Sequence, residues 1–272
     1  MPDEIIELKS VKKGPTSIVL VGVHGNEVCG IEALKNILPK LKVTKGRVLF
    51  GYGNPKAIKA NKRFLEANLN RMFKENKLLS KNDKESYEYS RAQFLKKYLK
   101  QADALLDIHA SFTPNSRSFA ICEPKARRIA RYLPVNLVVS GFNKLEPGGT
   151  DYYMSSIGKI GICVECGYLG DAKSVKVAEK SILAFLGARG NIMKKSSPKK
   201  QSYTQMNDLY TTKTNNFVLT KLFDDFEKVS KGQIIGIDGK EKVVAKKDGI
   251  ILFARNRKQV GDEAFLFGQH KK

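Results

Sequence analysis

Hydrophobic residues in the first two-thirds of the chain form short continuous runs that alternate with helix-like segments. The runs have the length of buried strands and lie at residues 17–23, 47–52, 104–108 and 160–165. Residues 27–38 have apolar positions at the spacing of an amphipathic helix, and residues 87–100 are helix-like as well. This alternation predicts an α/β fold with a mixed, mainly parallel sheet that is flanked by helices.

The pattern changes near Gly190. Residues 193–202 are polar and basic, as in a linker or an exposed loop. Short apolar segments then alternate with glycine-containing turns, which is typical of a small all-β unit, at residues 217–222, 233–237, 243–245 and 249–253. We therefore predict a larger α/β domain at residues 1–192 and a small C-terminal all-β domain at residues 203–272.

The composition is ordinary for a soluble globular protein, with 42% hydrophobic and 28% charged residues. The apolar runs are far too short to span a bilayer, and the acidic start of the chain does not resemble a secretory signal, so we expect no membrane association and a cytoplasmic location. The four cysteines are then expected to be reduced thiols. Cys163 and Cys166 lie inside an apolar run, which favours two buried hydrophobic side chains over a redox pair or half of a zinc site.

The chain is strongly basic, with 49 basic residues, 27 acidic residues and a formal net charge of +22. Such a charge favours anionic partners, which include nucleic acid, acidic membrane surfaces and small acidic substrates. The lysines are spread from Lys9 to Lys272 and do not alternate with aromatic residues in an RNA-binding pattern. A nucleic-acid site is therefore disfavoured, and a small anionic substrate is the expected partner.

Candidate site residues lie at the ends of three predicted strands. His24 and Glu27 follow the first strand, His109 follows the third, and Glu165 ends the fourth. In open α/β sheets, ligands bind at the carboxyl ends of the strands. Two histidines and a glutamate are a recurring ligand set of catalytic zinc, which keeps a position open for water, and a further carboxylate can take the proton of that water. The pattern predicts a mononuclear zinc hydrolase with one zinc ion per chain.

Four short blocks follow one another along the chain. The first is His24-Gly25-Asn26-Glu27, and the second comprises residues 54–57, Arg63 and residues 68–73. The third is Asp107-Ile108-His109, and the fourth is Val164-Glu165-Cys166-Gly167. Together they resemble the succinylglutamate desuccinylase and aspartoacylase family, which belongs to the zinc carboxypeptidase superfamily. The resemblance implies a zinc carboxypeptidase-like fold and assigns His24, Glu27 and His109 as zinc ligands. It also implies that Glu165 is the general base, that Arg63 polarises the scissile carbonyl, and that Asn70 and Arg71 grip a substrate carboxylate.

The activity implied by the resemblance is zinc-dependent hydrolysis of the amide bond in an N-acyl amino acid or a similar small carboxylate. The C-terminal β domain would cap the cleft, where Phe265 is expected to approach the substrate or, more simply, to belong to the core. The family pattern has a further arginine ahead of the catalytic glutamate, and residues 149–155 contain none. The resemblance therefore supports the reaction type more than the substrate.

Two other functions remain open on the sequence alone. A zinc carboxypeptidase that acts on peptides would use the same residues, but it would need an open cleft instead of a closed pocket. A basic nucleic-acid-binding protein on a decayed hydrolase scaffold would lack ligands or base, and all four residues are present. The acyl group, the amino acid, the physiological metal and the oligomeric state are not predicted.

Overall fold

A large mixed sheet runs through the residues that the computed structural model describes, which are residues 4–194 and 196–271. The strands are β1 (Ile6–Lys9), β2 (Thr16–Val21), β3 (Arg47–Tyr52), β4 (Ala104–Ser111), β5 (Phe119–Ile121), β6 (Leu137–Ser140), β7 (Ile160–Tyr168), β8 (Ser202–Thr211), β9 (Phe217–Leu219), β10 (Glu227–Val229), β11 (Ile234–Asp238), β12 (Glu241–Val244), β13 (Gly249–Leu252) and β14 (Glu263–Lys271). The helices are α1 (Cys29–Ile37), α2 (Pro55–Lys59), α3 (Lys81–Glu85), α4 (Tyr87–Leu99), α5 (Arg127–Ala130), α6 (Phe142–Leu145), α7 (Thr150–Ser156) and α8 (Lys173–Arg189).

The centre of the sheet explains why the hydrophobic runs are continuous. Strands β3, β2, β4 and β7 are neighbours and run parallel, and β2, β4 and β7 are buried along nearly their whole length. On β2, Val19 and Val21 belong to the core that includes α1 and α8, whereas Ile18 and Leu20 belong to the core that includes α4. Because successive side chains of a strand point to opposite faces, a strand covered on both faces needs apolar residues at every position.

The complete strand order of the main sheet is β1-β3-β2-β4-β7-β5-β6-β8-β14-β13-β10. β5 is antiparallel to β7, β6 and β8 then follow in parallel, and the strands from β14 onwards are antiparallel. The predicted class, a mixed α/β sheet flanked by helices, is confirmed. The carboxyl ends of β2, β3, β4 and β7 meet at one edge, where the predicted site lies.

The predicted elements of the first two-thirds are present, with differences at their ends. β3 has the predicted bounds. β2 ends at Val21, two residues early, because Gly22 has a φ of +64° and turns the chain away from the sheet. β4 and β7 each continue three residues beyond their predicted ends. His109 and Glu165 therefore lie within strands, where neighbouring strands hold their backbone.

The C-terminal part is all β, as predicted, but most of it continues the main sheet. β8 pairs with β6 on one side and with β14 on the other, and β14 leads on to β13 and β10. A separate antiparallel sheet has the order β12-β11-β9. The division into domains at residues 1–192 and 203–272, with a linker at 193–202, stays a prediction. Residues 1–3, 195 and 272 of these segments lie outside the described residues.

Two expectations about the whole chain concern membranes and thiols. Within residues 4–194 and 196–271, no helix is long and apolar enough to cross a bilayer. All four cysteines are buried free thiols. Cys163 and Cys166 belong to different hydrophobic cores, as expected for a strand that is covered on both faces.

Candidate metal centre and substrate cavity

The turn between β2 and α1 places two candidate ligands side by side. After Gly22, the N–H of Glu27 donates a hydrogen bond to the carbonyl of His24 over 3.1 Å, which closes the turn. Gly25 is required because a Cβ at this position would lie 2.2 Å from the backbone of Ala57. His24 Nδ1 then lies 2.7 Å from Glu27 Oε1. The turn thus brings the two side chains into contact.

Strand β4 brings a second histidine to the same point. His109 Nδ1 is 2.9 Å from Glu27 Oε2, and the N–H of Ala110 donates to that oxygen over 3.2 Å. His24, Glu27 and His109 are 4%, 3% and 3% exposed, and their ligand atoms all lie within 4.8 Å of one another. Each carboxylate oxygen of Glu27 therefore faces one imidazole nitrogen. We refer to His24, Glu27 and His109 as the candidate metal site.

The outer nitrogens of both imidazoles face oxygen atoms. His24 Nε2 is hydrogen-bonded to Asn68 Oδ1 over 3.1 Å, and His109 Nε2 lies 3.1 Å from Asp107 Oδ2 without the geometry of a hydrogen bond. Metal-binding histidines usually have such a partner, which fixes the orientation and tautomer of the ring. The nitrogen and oxygen donors, their burial and these outer partners fit a zinc ion.

Asn68 and Asp107 received no role from the sequence. Asp107 precedes His109 by two positions on β4, so both side chains point to the same face of the strand, and this spacing is a signal from which Asp107 could be found. Asn68 accepts a hydrogen bond from the N–H of Asn70 over 3.0 Å. Its contact with His24 joins residues that are 44 positions apart, and no local pattern indicates it.

Burial and charge together set the protonation of the candidate metal site. Burial and the nearby Arg63 lower the pKa of His24 to about 4. Burial alone would raise the pKa of Glu27, but the two imidazoles hold it well below its usual value. Burial alone would lower the pKa of His109, but Asp107 and Glu27 raise it well above its usual value. Neutral His24 and ionised Glu27 are the forms that bind a metal, and ligation by His109 requires the release of its proton.

Glu165 lies directly opposite His109 on the neighbouring strand β7. The residue is 8% exposed, and its Oε2 atom is buried without a hydrogen-bond partner in the described part of the chain. Burial raises the pKa of Glu165 to about 8, and the carboxylates of Glu27 and Asp225 add to this effect while His109 opposes it. A carboxyl whose pKa lies near neutrality exchanges a proton readily, and it accepts one in its ionised form, which a cation bound at the candidate metal site would favour.

Arg63 and Asn70 reach the site from the segment between β3 and α4. Arg63 Nη1 donates a hydrogen bond to Glu27 Oε1 over 2.9 Å, and its side chain is 32% exposed. Asn70 Oδ1 accepts a hydrogen bond from the N–H of Thr150, the first residue of α7, over 3.3 Å. Each side chain therefore makes one hydrogen bond within the protein through the atom named here.

Arg71 forms an ion cluster with Glu146 and Glu263. Its Nε and Nη2 atoms are 3.0 and 2.6 Å from the two oxygens of Glu263, and Nη2 is also 2.9 Å from Glu146 Oε1. Its Nη1 atom donates to the carbonyl of Asn70 over 2.9 Å. Burial alone would raise the pKa of Glu263, but Arg71 lowers it to about 2, whereas burial raises the pKa of Glu146 to about 7. All three nitrogens of Arg71 thus have acceptors within the protein.

A cavity joins these groups, and its empty space is about 830 Å³ with the opening to solvent included. All the predicted site residues line it, namely His24, Glu27, Arg63, Asn70, Arg71, His109 and Glu165. The C-terminal part adds Leu209, Phe253, Arg255, Glu263, Phe265 and Leu266. Phe265 is 8% exposed and stacks on Tyr210 at 5.2 Å, so it belongs to both the cavity wall and the core.

Fold and site define an α/β protein with a buried set of two histidines and a glutamate at the carboxyl edge of its parallel strands. Residues 13–189 match the family model of the succinylglutamate desuccinylase/aspartoacylase catalytic domain. The chain belongs to this family. The resemblance drawn from the four sequence blocks is therefore confirmed, since the match extends over all of them.

Curated relatives match a shorter stretch of the chain. A probable aspartoacylase from Prochlorococcus marinus is 38% identical over 80 residues, which is 29% of this chain and 27% of that protein. A succinylglutamate desuccinylase from Pseudomonas paraeruginosa is 36% identical over 74 residues, which is 26% of this chain and 22% of that protein. The matching stretches thus span about a quarter of the length of these relatives.

A crystal structure of a succinylglutamate desuccinylase from Vibrio parahaemolyticus is similar over nearly the whole chain. The TM-score is 0.79 at 20% sequence identity, and the alignment covers 98% of this chain and 86% of that chain. At this identity the likeness shows the fold. It includes the C-terminal strands, which lie beyond the residues that the family model matches.

Proposed function

We propose that this protein is a zinc-dependent hydrolase that cleaves the amide bond of an N-acyl amino acid or a similar small carboxylate. The observation that carries the proposal is the approach of His24 Nδ1 and His109 Nδ1 to the two oxygens of Glu27, at 2.7 and 2.9 Å, beside the uncommitted carboxyl of Glu165. Family membership supports it, because relatives bear the names aspartoacylase and succinylglutamate desuccinylase.

In this proposal His24, Glu27 and His109 hold one zinc ion per chain. A bound zinc ion supplies a Lewis acid and lowers the pKa of water at the site. Asn68 is hydrogen-bonded to Nε2 of His24, and the carboxylate of Asp107 lies 3.1 Å from Nε2 of His109, so both contacts favour ring orientations in which Nδ1 faces Glu27. The rings therefore need little reorientation to act as ligands.

Glu165 acts as the general base and proton shuttle. Its side chain takes the proton of the attacking water and passes it to the leaving amine, and its position opposite His109 places it beside the ligands. Arg63 faces the scissile carbonyl with the part of its guanidinium that Glu27 does not bind. A planar guanidinium stabilises a developing oxyanion better than a lysine would.

The predicted role of Asn70 and Arg71 in binding a substrate carboxylate stays a prediction. Both residues line the cavity. Because every nitrogen of Arg71 already has a protein acceptor, a substrate carboxylate at this position would have to compete with Glu146 and Glu263.

The shape of the cavity favours a small substrate over a peptide. Residues of the C-terminal part, among them Phe253, Phe265 and Leu266, form part of its wall together with residues of the parallel sheet. A carboxypeptidase needs room for an extended chain, whereas an N-acyl amino acid needs only a small pocket next to the candidate metal site. The basic chain suits a small anionic substrate as well.

The proposal is tested with the zinc-loaded protein and a panel of N-acetyl and N-succinyl amino acids, together with peptides of matched size. We expect release of free amino acid from one or more N-acyl amino acids and much slower cleavage of the peptides. Removal of metal with a chelator should abolish turnover, and added zinc should restore it. Faster cleavage of peptides, or full activity in protein shown to be free of metal, would contradict the proposal.

A further inference from the structure

Three arginines line the cavity, and they differ in what their guanidinium groups contact. Arg63 donates to Glu27, and Arg71 has acceptors for all three of its nitrogens. Arg255, between β13 and β14, makes no side-chain hydrogen bond or ion pair with any described residue, and its Nε atom is buried without a partner. Among these three arginines, Arg255 from the C-terminal part is therefore the one whose guanidinium has no hydrogen-bond acceptor among the described residues.

Arg255 is nevertheless held in a defined place. Its backbone N–H donates a hydrogen bond to the carbonyl of Ala264 over 3.0 Å, and its guanidinium carbon lies 4.4 Å from the ring centroid of Phe112. Phe112 follows β4 and is three residues beyond His109. An arginine that stacks on an aromatic ring keeps its N–H edge available for hydrogen bonds. The stacking thus directs an anion-binding group at the cavity near the candidate metal site.

The electrostatic surroundings of Arg255 favour an incoming anion. Burial lowers the pKa of Arg255 to about 9, the positive charges of Arg257 and Arg63 add to this effect, and the carboxylates of Glu146 and Glu263 oppose it. The group is still a cation at neutral pH, and a partly buried cation that forms no ion pair at contact distance is costly. A carboxylate that enters the cavity would supply the missing hydrogen-bond acceptors and the opposite charge.

We propose that Arg255 binds the carboxylate of the substrate. The inference rests on the proposed function, and it restricts the substrate to N-acyl amino acids whose carboxylate is free and not masked as an amide or ester. A guanidinium binds a carboxylate through two parallel charge-assisted hydrogen bonds. Arg71 is already bound in this way by Glu263.

The kinetic test compares the best N-acyl amino acid of the panel with its carboxamide analogue. Arg255→Gln should raise KM for the carboxylate substrate about 10- to 100-fold, the loss expected for a hydrogen bond to a charged group, with kcat changed only a few fold. KM for the carboxamide should hardly change, because that substrate has no charge to lose. Arg255→Lys should recover part of the effect, since lysine keeps the charge but not the planar fork.

The matched control is Lys258→Gln, which removes the same charge three residues away at an exposed position that does not line the cavity. This variant should behave like the wild type with both substrates. The assignment of Arg255 is overturned if Arg255→Gln changes KM equally for the carboxylate and the carboxamide, or if Lys258→Gln has the same effect.

A binding measurement separates this inference from the proposed activity, because it needs no turnover. Succinate is titrated into the zinc-loaded wild type and into Arg255→Gln, and the heat of binding is recorded. Weaker binding by Arg255→Gln supports the inference even where no N-acyl amino acid is cleaved. Equal binding by the two proteins, or binding by neither, refutes it.

Discussion

Two groups of charged residues line the same cavity, and they differ in how their polar atoms are satisfied. In the candidate metal site, two imidazole nitrogens and a carboxylate converge on one buried point. In the ion cluster, every nitrogen of Arg71 is taken up by acceptors from the protein. Burial and charge alone therefore do not identify a binding group. In the first group, atoms that can bind a metal ion face one another, whereas in the second a cation is paired with carboxylates and a carbonyl of the protein. We expect the first group to determine metal binding and turnover, and the second to determine stability.

The largest expected effect is on turnover, from Glu165→Gln beside the candidate metal site. The amide is nearly isosteric with the carboxyl but cannot accept the proton of water, so kcat should fall by roughly 10²- to 10⁴-fold. Zinc content and the unfolding midpoint should stay close to those of the wild type. The measurement is steady-state kinetics on the zinc-loaded variant with an N-acyl amino acid.

Glu179→Gln is the control for this variant, because it makes the same substitution on helix α8 at a residue that does not line the cavity. It should leave kcat unchanged. Near-normal turnover in Glu165→Gln would show that another residue is the general base. The expected link between the candidate metal site and turnover would then lack its evidence.

The next effect concerns the ion cluster and is one of stability. Glu263→Gln removes the charge that Glu263 presents to Arg71, and the two side chains are only 31% and 18% exposed. Because the hydrogen bonds of this pair are to a charged group, we expect a loss of about 1.5–3 kcal/mol in the free energy of unfolding. One equivalent of zinc should remain bound. Urea unfolding and metal analysis measure the two quantities on the same preparation.

Glu241→Gln provides the comparison for an exposed pair, since Glu241 and Lys213 are 75% and 70% exposed. Its effect on the free energy of unfolding should stay within about 0.5 kcal/mol. If Glu263→Gln lost zinc while its stability was unchanged, the assignment of different roles to the two groups would be wrong.

The smallest effect is a pH dependence of stability that comes from Glu146. Burial raises the pKa of Glu146 from 4.5 to about 7, so within this window the folded protein keeps a proton that the unfolded chain has released. Stability must then fall as the pH rises. Between pH 5.5 and 6.5 the wild type should lose about 1 kcal/mol relative to Glu146→Gln, because one pKa unit corresponds to about 1.4 kcal/mol. Unfolding curves of both proteins that run parallel across this window would exclude the effect.

The proximity of His24, Glu27, His109 and Glu165 can be predicted from the sequence because local signals position these residues. An apolar run followed by a glycine-rich turn places His24 and Glu27, and the ends of two further runs place His109 and Glu165. Each of these signals concerns residues that are close in the chain. The parallel order of the central strands then brings them to one edge of the sheet.

The ion cluster and Arg255 are not predictable in this way. Arg71 and Glu263 are 192 positions apart, and their contact depends on how β14 joins the far side of the sheet. The same holds for Arg255 and Phe112, which meet only after the C-terminal strands have paired. A pattern of apolar residues indicates that a strand exists, but it does not indicate which distant strand lies beside it.

The most direct test of the account is the zinc content of three proteins after dialysis against metal-free buffer, determined by elemental analysis. The wild type should retain one equivalent per chain, and His109→Ala should lose most of it, because two ligands alone bind zinc weakly. His270→Ala replaces the remaining histidine, which contacts Thr204 and does not line the cavity, and it should retain the full equivalent. A full equivalent of zinc in His109→Ala would show that the candidate metal site is not where the metal binds.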